Sequence, residues 1–522
     1  MSSGTGKKLR GPMAPSLVPK GGACSNCRKR KTRCDGKRPA CTACRSSLIF
    51  SDCEYTSSGV TQSQLLEEQI AFLSARIAEL EARPSATPAP VASSSQVTRA
   101  ESPERIELQQ LLVQVFLQHK ADLPFFLNAD RLMASTTGSG TNCSGALLAT
   151  IYLWGAHLCS EDFRRHYESR FAVKAQQSVS QGISVFGRPE GDSILHLIQA
   201  EVLLAQYLFR NSRHLEGKYH MTKALSLVTG ARMHSIRSSS SSSYSLLPPP
   251  ADAIEEGERI RAFWTVMIQN NSCTSVDGSA PNMIYTNEPG LRVDTPWPED
   301  MDTYVTKGIP YGLTGNCTVQ SFLAGYDDGN YSWTALHAKA SILFERAAQI
   351  GQEHLNNFLT RSSDISRSST QFLSVGSTIQ SLSSQIASHQ VQVATPTKQF
   401  AFVSMLVDAA CIRLHQHFVD KQPQSHKMVV SSARNMVRAV DLLASANGQQ
   451  EGVIDPIVGP IALAALRILA SELRKLAGPD ATSIMTELRK LYDGMMALSS
   501  CCPLMRIQAT EAHQILAALG AQ

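Results

Sequence analysis

Apolar residues recur at spacings of three and four along most of the chain, the spacing that places side chains on one face of an α-helix. Segments that alternate polar and apolar residues, as strands do, are scarce. The clearest predicted helices cover residues 106–119, 146–158, 194–210, 253–268, 331–350, 399–419, 428–444, 461–476 and 507–519. The pattern therefore predicts an all-α fold for residues 105–522.

A shorter amphipathic helix is predicted over residues 64–82. Its apolar residues have the 4-3-4-3 spacing of a heptad repeat, with isoleucine at the a positions and leucine at the d positions: Leu66, Ile70, Leu73, Ile77 and Leu80. This combination favours a parallel two-stranded coiled coil, so we expect a dimerisation helix. The alternative is a helix that packs on its own chain, because so short a helix is marginal by itself.

Segments rich in Gly, Pro and Ser separate these helices. Residues 1–22 are predicted to form a disordered basic arm, and residues 83–104 a flexible linker. The Ser-rich segment 362–384 is predicted to be a surface loop within the helical body. Nothing in the chain has the apolar length of a signal peptide or a membrane span, so we expect the cysteines to lie in a reducing compartment.

Charge and cysteine are distributed unevenly along the chain. The formal net charge is +5, but residues 1–60 hold 12 Lys and Arg against 3 Asp and Glu, a net of +9. The remaining residues carry a net of −4. Six of the 13 cysteines lie between Cys24 and Cys53. Composition therefore predicts a small basic, metal-binding head joined to a large and slightly acidic body.

The clustered cysteines have the spacing C-x2-C-x6-C-x6-C-x2-C-x8-C: Cys24, Cys27, Cys34, Cys41, Cys44 and Cys53. A structural zinc site needs four tetrahedral ligands, and a C-x2-C pair supplies two of them from one turn. Two separate zinc ions would need eight ligands, and residues 1–60 contain no histidine. Six thiolates suffice for two ions if two cysteines bridge both metals.

Basic residues are interleaved with these cysteines. They would offset the residual charge of about −2 on such a cluster and leave a positive surface for a polyanion. The residues are Arg28, Lys29, Arg30, Lys31, Arg33, Lys37 and Arg38.

The segment CSNCRKRKTRCDGKRPACTAC, residues 24–44, resembles the DNA-binding domain of the fungal binuclear zinc-cluster (Zn2Cys6) transcription factors. The resemblance implies a Zn2Cys6 domain over residues 23–55 that binds two Zn²⁺ ions. It also implies that Cys24 and Cys41 bridge the two ions. The other four cysteines would complete the two sites in pairs, Cys27 with Cys34 and Cys44 with Cys53.

The same resemblance implies a short helix in the DNA major groove that reads a CGG-type triplet. Arg30 and Lys31 match the base-contacting positions, and Arg28, Lys29 and Arg33 match contacts to the DNA backbone. The chemistry agrees, because Lys and Arg donate to the O6 and N7 acceptors of guanine, whereas phosphate contacts fix the register. The alternative for the basic run is a nuclear import signal, which we expect as a second role of the same residues.

Within the helical body, residues 140–310 resemble the middle homology regulatory domain common in this family. The resemblance rests on the segment Glu258-Arg-Ile-Arg-Ala-Phe-Trp264 and on Gly278, while Asn270 and Asn271 replace the family's Asp-Arg pair. It implies a regulatory role for the body. We interpret Glu258, Arg261 and Trp264 as helix-packing residues rather than as a ligand site.

Together these features predict a nuclear, sequence-specific DNA-binding transcription factor for RNA polymerase II. Its expected partners are double-stranded DNA with CGG-like half-sites, a second copy of the chain, and the transcription machinery or its co-regulators. We find no catalytic constellation in residues 105–522, so the chain is predicted not to be an enzyme. Two alternatives stay open: a nucleic-acid or chromatin adaptor without sequence specificity, and an enzyme tethered to DNA by a zinc cluster.

Overall fold

The computed structural model describes residues 23–24, 27, 31–37, 41–45, 103–136, 143–185, 194–239, 247–280, 285, 292–361, 363–393, 397–447 and 452–520. The chain divides into two compact units, Met1–Ala100 and Glu101–Gln522. In the first unit, helix α1 spans Thr42–Arg45. The predicted basic arm, the predicted coiled-coil helix at 64–82 and nearly all of the predicted linker lie outside the described residues.

The described part of the second unit is built from helices. These are α2 Pro103–Gln118, α3 Ala129–Thr136, α4 Gly145–Leu158, α5 Glu161–Val185, α6 Ile194–Arg210, α7 His214–Gly230, α8 Ala253–Asp277, α9 Met301–Thr306, α10 Thr318–Leu323, α11 Trp333–Thr360, α12 Ile365–Val393, α13 Lys398–His415, α14 Pro423–Asn447, α15 Val458–Leu473, α16 Pro479–Leu498 and α17 Pro503–Gly520. Short 3-10 turns follow α2, α7 and α13. Among these residues, β pairing is limited to one bridge between Ser238 and Gly315.

All nine helices singled out from the apolar pattern are confirmed, and the all-α prediction with them. The largest differences are in length, since α8 and α11 continue for two to three turns beyond their predicted ends. Helix α8 ends where Gly278 adopts a φ of 70°, a left-handed conformation that costs glycine little. The helical reading of the body is therefore correct, and its errors lie mainly at helix ends.

The prediction of a surface loop over residues 362–384 is wrong. Most of this Ser-rich segment belongs to the 29-residue helix α12. One face of α12 is buried and apolar at spacings of three and four: Phe372, Val375, Ile379, Leu382 and Ile386. The burial of this face against neighbouring helices outweighs the weak helix preference of serine.

Several helices begin at residues whose side chains can cap free backbone N–H groups. Asp252 accepts a hydrogen bond from the backbone N–H of Glu255 at 2.9 Å. Ser144, Ser332 and Thr397 accept equivalent bonds, each from the N–H three residues ahead, at the starts of α4, α11 and α13. Such caps are each worth about 1 kcal/mol. These short polar residues therefore fix where the helices start.

Helix α8 lies centrally in the second unit. It packs against α6 and α7 on one side and against α11 on the other, and α11 in turn packs on α13 and α12. Large apolar side chains on these helices are fully buried, including Trp154 and Trp264. Both indole N–H groups find backbone acceptors, Leu203 at 2.9 Å and Pro296 at 2.6 Å. None of the helices in the described residues is long and apolar enough to cross a membrane.

Candidate metal centre and nucleic-acid interface

The two C-x2-C segments of the first unit adopt the same local arrangement. The backbone N–H of Cys27 donates to the Sγ of Cys24 at 3.4 Å, and the N–H of Cys44 donates to the Sγ of Cys41 at 3.4 Å. In the second segment, the N–H of Cys44 also donates to the carbonyl of Cys41, at the start of α1. Each short segment thereby turns its two thiols to the same side.

The thiols of the two segments meet in one buried cluster. The Sγ of Cys24 lies 3.9 Å from that of Cys41 and 3.7 Å from that of Cys44. The Sγ of Cys27 lies 3.5 Å and 3.9 Å from the same two atoms. All four side chains are fully buried. Because these residues lie up to 20 positions apart, it is the folding of the first unit that assembles the cluster.

These separations fit zinc coordination. Four sulfurs bound at about 2.3 Å around a tetrahedral ion stand about 3.8 Å from one another. The distances between the two segments, from 3.5 to 3.9 Å, lie close to that value. No disulfide joins any of these cysteines. The two sulfurs of a disulfide would be only about 2 Å apart, much closer than the distances seen here. The described thiols therefore have the spacing of metal ligands.

Cys34 joins the same group. Its Sγ and those of Cys24, Cys27 and Cys41 all lie within 4.8 Å of one another. These four residues are the set that the sequence analysis assigned to one zinc ion. The Sγ of Cys44 lies 3.7 Å from that of Cys24 and 3.9 Å from that of Cys27, and Cys53, the sixth predicted ligand, lies outside the described residues. Five of the six predicted ligands are thus brought together.

Burial has consequences for the protonation of these thiols. Desolvation raises the pKa of the Cys27 thiol, with a further rise from its contact with Cys41. A zinc-bound cysteine is a thiolate, so loading the cluster releases protons and supplies folding energy at the same time. A head with so few apolar residues depends on that energy for its fold.

A hydrogen-bonded pair outside the cluster joins the loop after Cys34 to the start of α1. The carboxylate of Asp35 accepts from the hydroxyl of Thr42 at 2.6 Å and from its backbone N–H at 3.0 Å. The hydroxyl and then the N–H bond lower the pKa of Asp35. Thr42 follows Cys41 directly, so the pair fixes that ligand relative to Cys34. This pair was not predicted from the sequence, although Asp35 directly follows Cys34 and Thr42 directly follows Cys41.

The described basic residues lie on the surface of the first unit. Lys31, Arg33 and Lys37 are all exposed. The Nζ of Lys37 lies 4.0 Å from a carboxylate oxygen of Asp35, an exposed ion pair of little energetic weight. The other four basic residues predicted to contact DNA lie outside the described residues: Arg28, Lys29, Arg30 and Arg38.

The backbone at Lys31 has an unusual conformation. Its φ of 52° lies in the left-handed region, which is uncommon for a residue with a side chain. The next residue, Thr32, donates its N–H to the carbonyl of Cys27 at 3.0 Å and closes a turn. The turn holds Lys31 exposed within four residues of a buried thiol. Cluster assembly therefore determines where this lysine is presented.

In the second unit, the residues interpreted as helix-packing do pack. Glu258 is buried and accepts from the backbone N–H of Asn128 at 2.7 Å. Burial raises the pKa of Glu258. Trp264 stacks on Trp297 with ring centroids 4.5 Å apart. Arg261 donates to two backbone carbonyls and also lines a pocket, which the sequence analysis did not foresee.

A buried group of thiols at zinc-ligand spacing, bordered by exposed basic residues, defines the class of small metal-templated nucleic-acid-binding domains. Residues 22–59 match the family model described as the fungal Zn(2)-Cys(6) binuclear cluster domain. The chain thus carries the zinc-cluster domain of the fungal DNA-binding transcription factors, a domain that binds two zinc ions. The match covers less than a tenth of the chain. No curated protein matches the sequence.

Proposed function

We propose that this protein is a nuclear transcription factor for RNA polymerase II that recognises CGG-type triplets through its zinc-cluster head. The observation that carries the proposal is that five cysteines gather at zinc-ligand spacing and that exposed basic residues lie beside two of them. Lys31 lies four residues after Cys27, and Arg33 directly precedes Cys34. Zinc folds the head and thereby positions these cations. Lys31, together with Arg30, donates to guanine edges in the major groove, where each base pair has a distinct pattern of acceptors.

The remaining basic residues of the head bind the DNA backbone. Phosphate contacts supply affinity that is independent of sequence and falls steeply as salt is raised. Lys37 and Arg33 are exposed as such contacts require. In a small head, several phosphate-binding residues fix the register on the DNA, and one or two base-reading residues give sequence specificity.

The two zinc sites share Cys24 and Cys41 as bridging ligands in this proposal. Its support is that the Sγ of Cys24 lies within 4 Å of those of both Cys41 and Cys44, while Cys24 and Cys41 also form a four-thiol group with Cys27 and Cys34. Metal analysis of the purified full chain is expected to give two zinc ions per chain. A single ion per chain would exclude the bridged cluster.

Two copies of the chain pair through the heptad segment 64–82, so that two heads bind paired half-sites. The support is the isoleucine and leucine pattern of that segment. Light scattering is expected to give a dimer, and the double substitution Ile70→Lys and Ile77→Lys to give a monomer with lower affinity for paired sites. A monomeric wild-type chain would contradict this part of the proposal.

Binding-site selection from a random DNA pool tests sequence recognition directly. The full zinc-loaded chain is expected to enrich CGG-like triplets at a fixed spacing. Enrichment of no sequence, with binding that depends on salt alone, would instead favour an adaptor without specificity. The helical body is proposed to regulate the output of the bound factor, and deletion of residues 105–522 should then leave triplet selection unchanged.

A further inference from the structure

A pocket of about 290 Å³ opens between helices of the second unit that are far apart in the chain. Its walls come from α8, α11 and α13, from the turn after α2 and from the segment before α15. An apolar cavity of about 150 Å³ is large enough for benzene. The pocket can therefore hold one aromatic ring with a short polar arm.

Aromatic side chains form much of the wall. Trp264, Trp333 and Phe402 all line the pocket. The ring of Phe402 packs edge-on against that of His337, with centroids 5.1 Å apart. Flat apolar surfaces of this kind bury a planar ring and give it favourable stacking or edge contacts.

Arg261 supplies a cation to the same wall. It donates to the carbonyls of Glu299 and Phe125 at 3.3 Å and 3.2 Å, and its Nε is buried without an acceptor. No ion pair joins it to a carboxylate among the described residues, although the negative charges of Asp300, Asp302 and Glu258 act on it from a distance. Desolvation lowers the pKa of this guanidinium. A half-buried charge that only neutral carbonyls contact is poorly solvated, and a carboxylate would stabilise it through paired N–H donors.

Most of the other charged groups of the pocket have partners, and Lys120 is exposed to solvent. Lys398 forms an ion pair with Asp122 at 3.3 Å. Asp455 accepts from the backbone N–H of Ile457 at 3.0 Å, and its burial raises its pKa, which favours the uncharged form. Asp300 accepts a long hydrogen bond from Thr334 at 3.5 Å. Arg261 is therefore a half-buried cation of the pocket that has no carboxylate in contact with it.

His337 provides a second polar atom without a hydrogen-bond partner, in addition to the Nε of Arg261. Its Nε2 is buried and has no hydrogen-bond partner among the described residues. Desolvation lowers the pKa of His337 to about 4, so the ring is neutral near pH 7 and can donate one hydrogen bond to an oxygen. A buried N–H donor without an acceptor costs free energy, and an oxygen atom of a ligand would accept its hydrogen bond.

From these contacts we propose that the pocket is a binding site for a small aromatic carboxylate, held by Arg261 and His337 with its ring among the tryptophans and Phe402. The site goes beyond the DNA-binding function and does not rest on it. The carboxylate of the ligand gives Arg261 an anion in direct contact, and the ring fills the space that the helices leave.

Phenylacetate is a suitable probe because it has one ring and a one-carbon carboxylate arm. Two of the chain's four tryptophans line the pocket, so intrinsic fluorescence of the full zinc-loaded protein reports binding. Phenylacetate is expected to bind at least about tenfold more tightly than phenylacetamide, which has the same shape without the charge. Equal binding of the amide, or no binding of phenylacetate at about 10 mM, would overturn the proposal.

Arg261→Gln is expected to weaken phenylacetate binding by about tenfold or more and to remove the preference over the amide. Arg467→Gln is the matched control, because Arg467 is exposed and pairs with Glu511 elsewhere in the unit. Thr265→Leu keeps Arg261 but fills the pocket, so it decides the question if Arg261→Gln fails to fold. Wild-type affinity in folded Thr265→Leu would contradict the assignment of the pocket.

Discussion

Lys31 combines exposure with a constrained backbone at the edge of the thiol cluster. Its left-handed φ and the Thr32-to-Cys27 hydrogen bond fix the direction in which the lysine leaves the turn. A side chain that reads a base must approach the base edge from a defined direction, whereas phosphate contacts fix the register of the protein on the DNA. The residue therefore has the placement expected of the base-reading role assigned to it.

Lys31→Ala should weaken binding to the selected DNA site by roughly 1–3 kcal/mol, since a donor to guanine is lost. Binding to random DNA should change much less. The measurement is a titration of both DNAs with the full zinc-loaded chain at one fixed salt concentration. Lys37→Ala is the matched control, and it should weaken both DNAs about equally. An equal loss on both DNAs for Lys31→Ala would mean that Lys31 touches only phosphate.

Close packing between helices depends on small residues at the crossing points. Gly155 in α4 lies against α2, where an added Cβ would stand 2.4 Å from the carbonyl oxygen of Leu112. Backbone cannot move aside as a flexible side chain can. The contact between these two helices therefore requires glycine at this position.

Gly155→Ala should lower the free energy of unfolding by about 1–3 kcal/mol, because α2 and α4 must separate to admit the methyl group. Urea unfolding followed by far-ultraviolet circular dichroism measures the loss. Gly145→Ala in the same helix is the control, since a Cβ there meets nothing within 4 Å. Stability of this control should stay unchanged or rise by less than about 1 kcal/mol. Equal stabilities of the two variants would contradict the close approach.

The pairing of α13 with α14 contains a half-buried acid, Asp408. Asp408 accepts from the side-chain amide of Asn435 at 3.2 Å, and desolvation raises the pKa of Asp408 to about 7. Hydrogen bonds from Asn435 and Ser432 and the attraction of Arg438 oppose the rise. The folded state therefore favours the protonated acid, and stability is lost as the pH rises from the unfolded value of 3.8 through about 7.

Asp408→Asn should remove this loss, because asparagine stays neutral and still accepts from Asn435. The stability of the variant relative to wild type should grow by about 2 kcal/mol between about pH 5 and pH 8. Urea unfolding at a series of pH values measures the difference. Asp441→Asn is the control, since Asp441 is an exposed acid of α14 paired with Lys490. If the difference in unfolding free energy between Asp408→Asn and wild type were the same at every pH, the raised pKa of Asp408 would be contradicted.

At the scale of the whole molecule, metal and helical packing stabilise different units. The cysteine cluster lies in Met1–Ala100, whereas helices α2 to α17 lie in Glu101–Gln522. The described residues of the first unit surround a buried thiol cluster that zinc would bind, whereas those of the second unit pack around a large apolar core. Removal of zinc should therefore affect the two units very differently.

Chelation of zinc from the full chain should abolish binding to the selected DNA site while far-ultraviolet circular dichroism keeps most of its helical signal. Restoring zinc should restore DNA binding. The same titration repeated with Cys24→Ser should show weak binding at every zinc concentration, because the proposed bridging ligand of both ions is lost. DNA binding that survives chelation would contradict the dependence of the head on metal.

The zinc-cluster head was predictable because its chemistry is local. Cysteine spacing, the interleaved cations and the absence of histidine are enough to restrict the ligand set. The helical body was predictable for a related reason, since apolar residues at spacings of three and four need no distant partner to be recognised. The error at α12 came from giving its serine content more weight than that same apolar spacing.

The pocket was not predictable from the sequence. Arg261, His337 and Asp455 belong to separate segments, and nothing in the residues around each one shows that they line the same space. The pocket forms because α8 packs on α11 and both pack against later segments. This packing also removes water from the polar groups around the pocket. The metal ligands and the helices could be predicted from the order of residues in the chain, because cysteine spacing and apolar spacing are visible within short segments. Which polar groups are buried together follows instead from tertiary packing, because desolvation depends on neighbours in space.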